Sequence, residues 1–228
     1  MECVSKADNV YDELCLRIER CALEPGSTYS ESALGSLLGV GRTPLREAVQ
    51  RLSHDGLLIS AAGAGMRVPD LSVDEQIARL EVRRATESLA AALAAGRLPD
   101  AMVDDLTGLS VGIQGQTDLD AYMEAVARSN QLIGEASQNA YLQRMMTPLH
   151  VLSRRFWRAT ISEDREALRQ GSKYHGEILK AVLARDENAA CDAVIQLNDY
   201  LLQEAVDVAQ SRAEAVSRGP WILDLPGR

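Results

Sequence analysis

The stretch 34–68, LGSLLGVGRTPLREAVQRLSHDGLLISAAGAGMRV, constrains the fold more than any other part of this chain. It packs two short helical patterns, a glycine turn and a small-residue hairpin into one block. The turn is Leu38-Gly39-Val40-Gly41, where glycines let the backbone reverse with φ above zero. Pro44 is expected at the first helical position, where a missing N–H costs nothing. Leu45, Ala48, Val49 and Leu52 then recur at the spacing of one buried helical stripe. Arg42, Arg46 and Gln50 are spaced by four and share the opposite face. Arginine forks onto guanine or phosphate and glutamine onto adenine, the chemistry a helix needs in a major groove. The same three residues also suit an ordinary solvated face, so the stripe alone leaves both readings open.

The flanks narrow the choice. Glu24-Pro25-Gly26-Ser27 reads as a turn, and Ser30 as the N-cap of a short helix over Glu31–Leu38. Asp55-Gly56 breaks the chain after the second helix. Residues 57–60 read as a strand, 61–65 as a turn and 66–68 as the returning strand. A helix-turn-helix followed by a hairpin is a winged helix. Ahead of it, Cys15 and Cys21 are expected within one helix, on different faces.

The run LEPGSTYSESALGSLLGVGRTPLREAVQRLSHDGLL resembles the N-terminal domain of GntR-family transcriptional regulators. That family's pattern is a PG turn, a short helix ending in LGV, then SRTPVREAL and GL. This chain departs at Gly41, where the family usually has serine, a hydroxyl suited to phosphate; Thr43 stands nearby. A single short recognition helix reads only a few base pairs, so two half-sites and a homodimer on double-stranded operator DNA are expected. Arg42, Thr43, Arg46 and Gln50 would contact DNA from the second helix, and Gly63 would bring the wing backbone close to a phosphate.

Charge argues only against a general nucleic-acid coat, since the chain carries a net charge of -9. Residues 1–70 hold more carboxylates than cations, yet 42–67 offers Arg42, Arg46, Arg51 and Arg67 against Glu47 and Asp55. Four cysteines without C-x-x-C spacing suit free thiols in a reducing cytosol. No apolar run approaches a membrane span and Met1-Glu2-Cys3 opens no signal-peptide pattern, so a cytoplasmic, membrane-free protein is expected.

Beyond residue 71 the vocabulary is helical. With aromatics at only 4%, leucine and alanine set the pattern. Helices are expected near 73–95, 99–113, 117–137, 139–159, 162–185 and 187–212, with boundaries at Gly96, Pro99, Gly115, Asn139, Ser162 and Asp186, and Ser72 capping the first. The expected fold is mainly α: a winged helix-turn-helix over 1–70, an antiparallel all-helical bundle over 71–212 for effector binding and dimerisation, and a tail over 213–228. Trp221 in that tail is apolar enough to cover a groove. Bundle interiors hold ligand sites.

The bundle is similar to the all-helical FCD-type effector domain of the FadR subgroup. The segments are LEVRRATESLAAALAA near 80–95, IGEASQNAYL at 133–142 and YHGEILKAVLARDENAA at 174–190. Many members of that subgroup bind a divalent metal through one aspartate and three histidines. At the corresponding positions this chain has Val126, Asn130, His175 and Leu197. One good ligand in four does not hold a metal tightly, so no metal and no other cofactor is expected.

The effector must then be held by protein groups, with Arg83, Asn130 and His175 as candidates. Arg83 stands where the subgroup places a cavity-facing arginine. Its fork suits the carboxylate of a small metabolite, and pairing of Arg83 or Arg84 with Glu87 is the plainer alternative. Arg154, Arg155 and Arg158, with Phe156 and Trp157, form a second cluster that could hold an acidic ligand or bridge acidic helices. His54 and His150 read as surface or capping residues. Two further functions stay open: a metal-free regulator responding to an acyl thioester, and a helical enzyme. No phosphate loop, nucleophile elbow or zincin motif supports the enzyme.

Overall fold

The structure, a computed structural model, describes residues 5–61, 65–160 and 165–218, with side chains through Glu214. Helix α1 (Lys6–Glu19) starts from a capping box: the Asp8 N–H donates to Ser5 Oγ and the Ser5 N–H to Asp8 Oδ2. It ends before Cys21, whose φ of 55° belongs to the left-handed region. Cys15 and Cys21 therefore do not share a helix, contrary to the sequence expectation. Cys15, Cys21 and Cys191 are unpaired thiols, and Cys3 lies outside the described residues.

Strand β1 (Thr28–Tyr29) leads into α2 (Glu31–Leu38), where Ser30 Oγ accepts from the Ala33 N–H at 3.1 Å, as the N-cap signal implies. Helix α2 ends on Gly39 at φ 63°. Gly41 has an ordinary φ of -73°, so only one of the two turn glycines uses its left-handed freedom. Helix α3 (Arg42–His54) begins two residues before Pro44. The proline is the third helical residue, not the first. It is accommodated because none of the first-turn N–H groups has an intrahelical acceptor.

Strands β2 (Ile59–Ala61) and β3 (Gly65–Arg67) complete an antiparallel sheet of order β1-β3-β2, with Ser60 opposite Met66 and Thr28 opposite Arg67. The strand starts later than expected because Leu57 and Leu58 are buried core residues, their N–H groups bound to the Leu52 carbonyl. Gly65 is demanded twice: its φ is 109°, and a β-carbon there would overlap the Tyr29 carbonyl. The wing tip, with Gly63, lies outside the described residues. The last helix runs to Arg218, past the expected start of the tail at 213, and the remainder of that tail, with Trp221, lies outside the described residues.

Ser72 caps α4 (Val73–Arg97), its Oγ accepting from the Glu75 N–H. A short 3-10 turn (Asp100–Met102) precedes α5 (Val103–Ile113), α6 (Leu119–Ala136), α7 (Ala140–Thr160), α8 (Arg165–Leu183) and α9 (Glu187–Arg218). Helix α4 runs through Gly96 instead of stopping there. The end of the Glu187 side chain, at the start of α9, lies against Gly96. Ala90, Ala91, Ala94 and Ala95 are buried on the same helix, and α4 and α9 form the most extensive helix contact. No described helix is long and apolar enough to cross a membrane.

Two apolar cores result. One fills the helical region around Leu106, Ile113, Phe156 and Leu179. The other joins Leu14, Ile18, Leu34, Leu52 and Leu57 of the winged helix to Val151 and Leu152 of α7. Each fully buried leucine or isoleucine contributes about 1.5–3 kcal/mol. At the same junction Arg154 Nη2 donates to Glu19 Oε2 at 2.7 Å, and Arg155 Nη2 donates to the Asp70 carbonyl at 2.9 Å. Arg158 pairs with Asp120. The arginine cluster of α7 thus bridges acidic and carbonyl groups on neighbouring elements.

Candidate nucleic-acid face and effector cavity

On α3 the apolar stripe is buried, which turns Arg42, Thr43, Arg46 and Gln50 to solvent together. Gly41 supplies no side-chain cap, so the first N–H groups of α3 stay uncapped beside Arg42. An uncapped helix start with an adjacent guanidinium is suited to a phosphate. Arg46 Nε donates to Glu31 Oε2 at 2.9 Å and Arg51 Nη1 to Asp8 Oδ1 at 2.6 Å. Arg67 holds Asp70 at 2.5 Å. Three of the four arginines of this face are therefore already paired with carboxylates, while Arg42 has no side-chain partner among the described residues. His54 is exposed beside Asp55, as expected.

Within the helical region, Arg83, Asn130 and His175 line one chamber of about 30 Å³, together with Tyr122, Arg154 and Trp157. Asn130 and His175 also line an adjoining chamber of about 20 Å³, where Glu87 and His150 appear. The three residues expected to meet an effector come from α4, α6 and α8, and the fold brings them together. Gly171 makes room here, since a β-carbon would overlap the Tyr122 hydroxyl.

The centre of the polar network is Glu87, which the sequence offered only as a helix-surface partner for arginine. Its Oε1 accepts from Arg83 Nε at 2.7 Å and from His150 Nε2 at 2.5 Å, and its Oε2 from Asn198 Nδ2 at 3.1 Å. Arg83 Nη1 and Gln76 Nε2 both donate to Ser153 Oγ, at 2.5 and 2.7 Å. Arg83 thus lines the cavity and pairs with Glu87 at once; the two sequence readings coexist. His150 is buried at 6% exposure, which corrects the expectation of a surface residue. Its spacing gave a usable signal: Met146, His150, Ser153 and Trp157 follow the period of a buried stripe. Its partner, 63 residues away in sequence, gave none.

Burial alone would raise the Glu87 carboxyl, but Arg83 and the His150 hydrogen bond more than offset it, so Glu87 stays ionised far below the usual carboxylate range. Burial depresses His150 despite the attraction of Glu87. In its neutral form the ring carries its proton on Nε2 to donate to Glu87. Burial, reinforced by Arg83, brings His175 down to about 4. His175 Nδ1 donates to the Gly171 carbonyl at 2.9 Å, which fixes the tautomer and leaves Nε2 as an acceptor. Tyr122 meets the same ring edge-on.

The four-ligand metal set implied by the resemblance does not fit these residues. Val126 and Leu197 bring hydrocarbon to the chambers, and Asn130 replaces an imidazole. Among the described residues no group of three or more histidine, cysteine, aspartate or glutamate side chains is placed to hold a metal ion.

Residues 6–68 match the family model described as bacterial regulatory proteins, gntR family, and residues 78–199, more than half of the chain, match that of the FCD domain. Among curated proteins, a probable D-xylose utilization operon transcriptional repressor of Paenarthrobacter nicotinovorans is 34% identical over 89 residues, 39% of each chain. The Nta operon transcriptional regulator of Aminobacter aminovorans is 37% identical over 76 residues, 33% of this chain and 36% of that one. An HTH-type transcriptional regulator of Bacillus subtilis, YdhC, is 25% identical over 143 residues, 60% of this chain and 62% of that protein. The matches thus span less than two thirds of each relative. Among solved structures, E. coli McbR/YncC superposes with a TM-score of 0.75 at 21% identity, over 92% of this chain and 100% of that one. A GntR regulator from Rhodococcus sp. RHA1 gives 0.66 at 19% identity, over 90% and 97%. At these identities the two structures speak for the fold alone.

Proposed function

Because this chain belongs to the GntR family of bacterial regulatory proteins and carries an FCD domain, we propose that it is a transcriptional regulator that binds operator DNA as a homodimer and responds to a small carboxylate held without metal in the helical cavity. The observation that carries the reading is the α3 face: Arg42, Thr43, Arg46 and Gln50 stand exposed together over a buried stripe. One recognition helix reads few base pairs, so two half-sites are needed for useful specificity. Val82 and Leu89, half exposed and seven residues apart on α4, are apolar surface available to a second protomer.

The metal-free variant of the FadR pattern is supported by Val126 and Leu197, and the carboxylate by the guanidinium groups of Arg83 and Arg154 on the chamber wall. Chambers of about 30 and 20 Å³ favour a compact ligand over a long acyl thioester. The test is fluorescence anisotropy on duplexes from the region upstream of the protein's own gene, at two salt concentrations. The native protein is expected to bind one duplex per dimer, and Arg42→Ala and Arg46→Ala each to weaken binding about tenfold or more. Unchanged binding in both variants would overturn the docking, and a monomer on the duplex in sedimentation would overturn the dimer.

A further inference from the structure

Arg154 belongs to three places at once. It lines the chamber that also holds Arg83 and His175. It lines a groove of about 370 Å³ between α1, α6 and α7, whose other walls include Asp12, Gln131 and Thr147. And it holds Glu19 of α1 across the junction between the two cores, at 2.7 Å. No other residue shares all three roles among the described residues.

We propose that Arg154 is a shared cation: a small carboxylate entering the cavity takes the Arg154 guanidinium from Glu19, with the Trp157 indole N–H as a second donor, and so unfastens the winged helix from α7. This rests on the reading of the helical cavity as the effector site and adds the way its occupancy is felt at the DNA-binding domain.

The donors are in place and under-used. A guanidinium has five N–H donors. Glu19 takes Nη2, while Arg154 Nε is buried with no partner. Trp157 is 6% exposed and lines the same chamber, and its Nε1 is likewise buried and unpartnered. A buried indole N–H ordinarily finds an acceptor. Residues 154 and 157 stand one turn apart on α7, so one carboxylate can accept from both. The other guanidinium of the chamber, Arg83, is neutralised by Glu87. Burial disfavours the charged form of His150, one turn before Arg154.

The consequence for the junction follows from Glu19. Its side chain is about as buried as that of Arg154. Once the guanidinium turns to a ligand, Glu19 is a carboxylate left without its cation in an apolar seam beside Val151 and Leu152. A buried charge without a partner is strongly unfavourable. The seam relieves this by opening to water, which frees α1 and the helix-turn-helix behind it.

Acetate, the smallest stable probe of this chemistry, provides the test. Full-length protein is melted while sodium acetate replaces sodium chloride at constant ionic strength, and hydrogen exchange is followed over Lys6–Glu19. In Glu19→Gln the internal competitor is gone, so half-saturation is expected at about tenfold lower acetate than in the native protein. Arg154→Lys, which keeps the charge but loses the fork, and Trp157→Phe should both weaken the response. In the native protein acetate should accelerate exchange in α1, whereas in Glu19→Gln, where no carboxylate can be stranded, acetate should leave that exchange unchanged. Equal acetate responses in the native protein and Glu19→Gln would overturn the proposal, as would saturation by acetate with α1 exchange unchanged. The Arg42→Ala binding assay fails or succeeds independently, so a wrong reading of the DNA face and a wrong reading of Arg154 give different results.

Discussion

Arg46 and Arg83 each hold a glutamate, at 2.9 and 2.7 Å, and there the likeness ends. The Arg46 side chain is 67% exposed and Glu31 44%; the corresponding figures for Arg83 and Glu87 are 5% and 10%. In water an ion pair contributes little, because both charges are already solvated. Glu31 can release Arg46 to a phosphate or a base at small cost. In the helical region the same pair has no solvent to fall back on. Glu87 must satisfy Arg83, His150 and Asn198 together, and every change in one is felt by the others. The exposed pair is exchangeable, and the buried one cannot be left half made.

The sharpest way to break this contrast is Glu87→Gln. It strands the Arg83 guanidinium in the core, and a loss of about 3–5 kcal/mol in urea unfolding is expected; a loss below about 1 kcal/mol would place the buried pair in the same class as exposed ones. Acid tests the same region without mutation. His175 titrates at about 4 in the folded chain and at 6.5 unfolded. Between these values the unfolded chain takes up a proton that the folded one refuses. Its contribution is complete above pH 6.5 and is lost as pH falls toward 4, at up to about 1.4 kcal/mol per pH unit. His150 is depressed as well and works in the same direction. Melting between pH 7 and 4.5 should show this slope, and His175→Gln should flatten it.

Smaller effects are expected in the winged helix. Gly65→Ala forces a β-carbon against the Tyr29 carbonyl at φ 109°, and should lower stability by roughly 1–3 kcal/mol; urea unfolding with an unchanged midpoint would show that the wing relaxes freely. Smallest of all is the effect of Arg46→Ala on folding, a Tm change of about 2 °C or less. The same change should weaken DNA binding about tenfold or more. If Arg46→Ala unfolds the protein instead, the pair with Glu31 is structural and the contrast fails.

The sequence made one region far more legible than the other, for a physical reason. Helix α2 is found at the residues expected because its signals are local: Ser30 reaches its own third N–H, and Gly39 turns the chain immediately after. Pro44 misled by two positions, since a first helical turn tolerates proline at any place lacking an acceptor. Gly96 misled by as much, because a glycine inside the last turn of a helix looks the same in sequence as one that ends it. Arg83, Asn130 and His175 were found through family likeness and do share a cavity. Glu87, His150 and Asn198 assemble across 63 to 111 residues, and no local pattern announces such a meeting. Arg154 was visible only as one of a crowd of arginines; its position between cavity and seam exists only once α1 has docked.

Val151 and Leu152 sit in the helical half of the chain yet complete the winged helix's core. The winged helix is therefore not a portable module. A fragment ending at Asp70 would expose the part of α1 that packs on α7 and would lose Arg154, the counter-ion of Glu19. Exchanging this domain between relatives has the same requirement: the α1 face and the α7 face must travel together, although α2 to α6 and the wing stand between them in the chain. Recombination at the expected domain boundary, between residues 70 and 71, would separate two surfaces that fold as one.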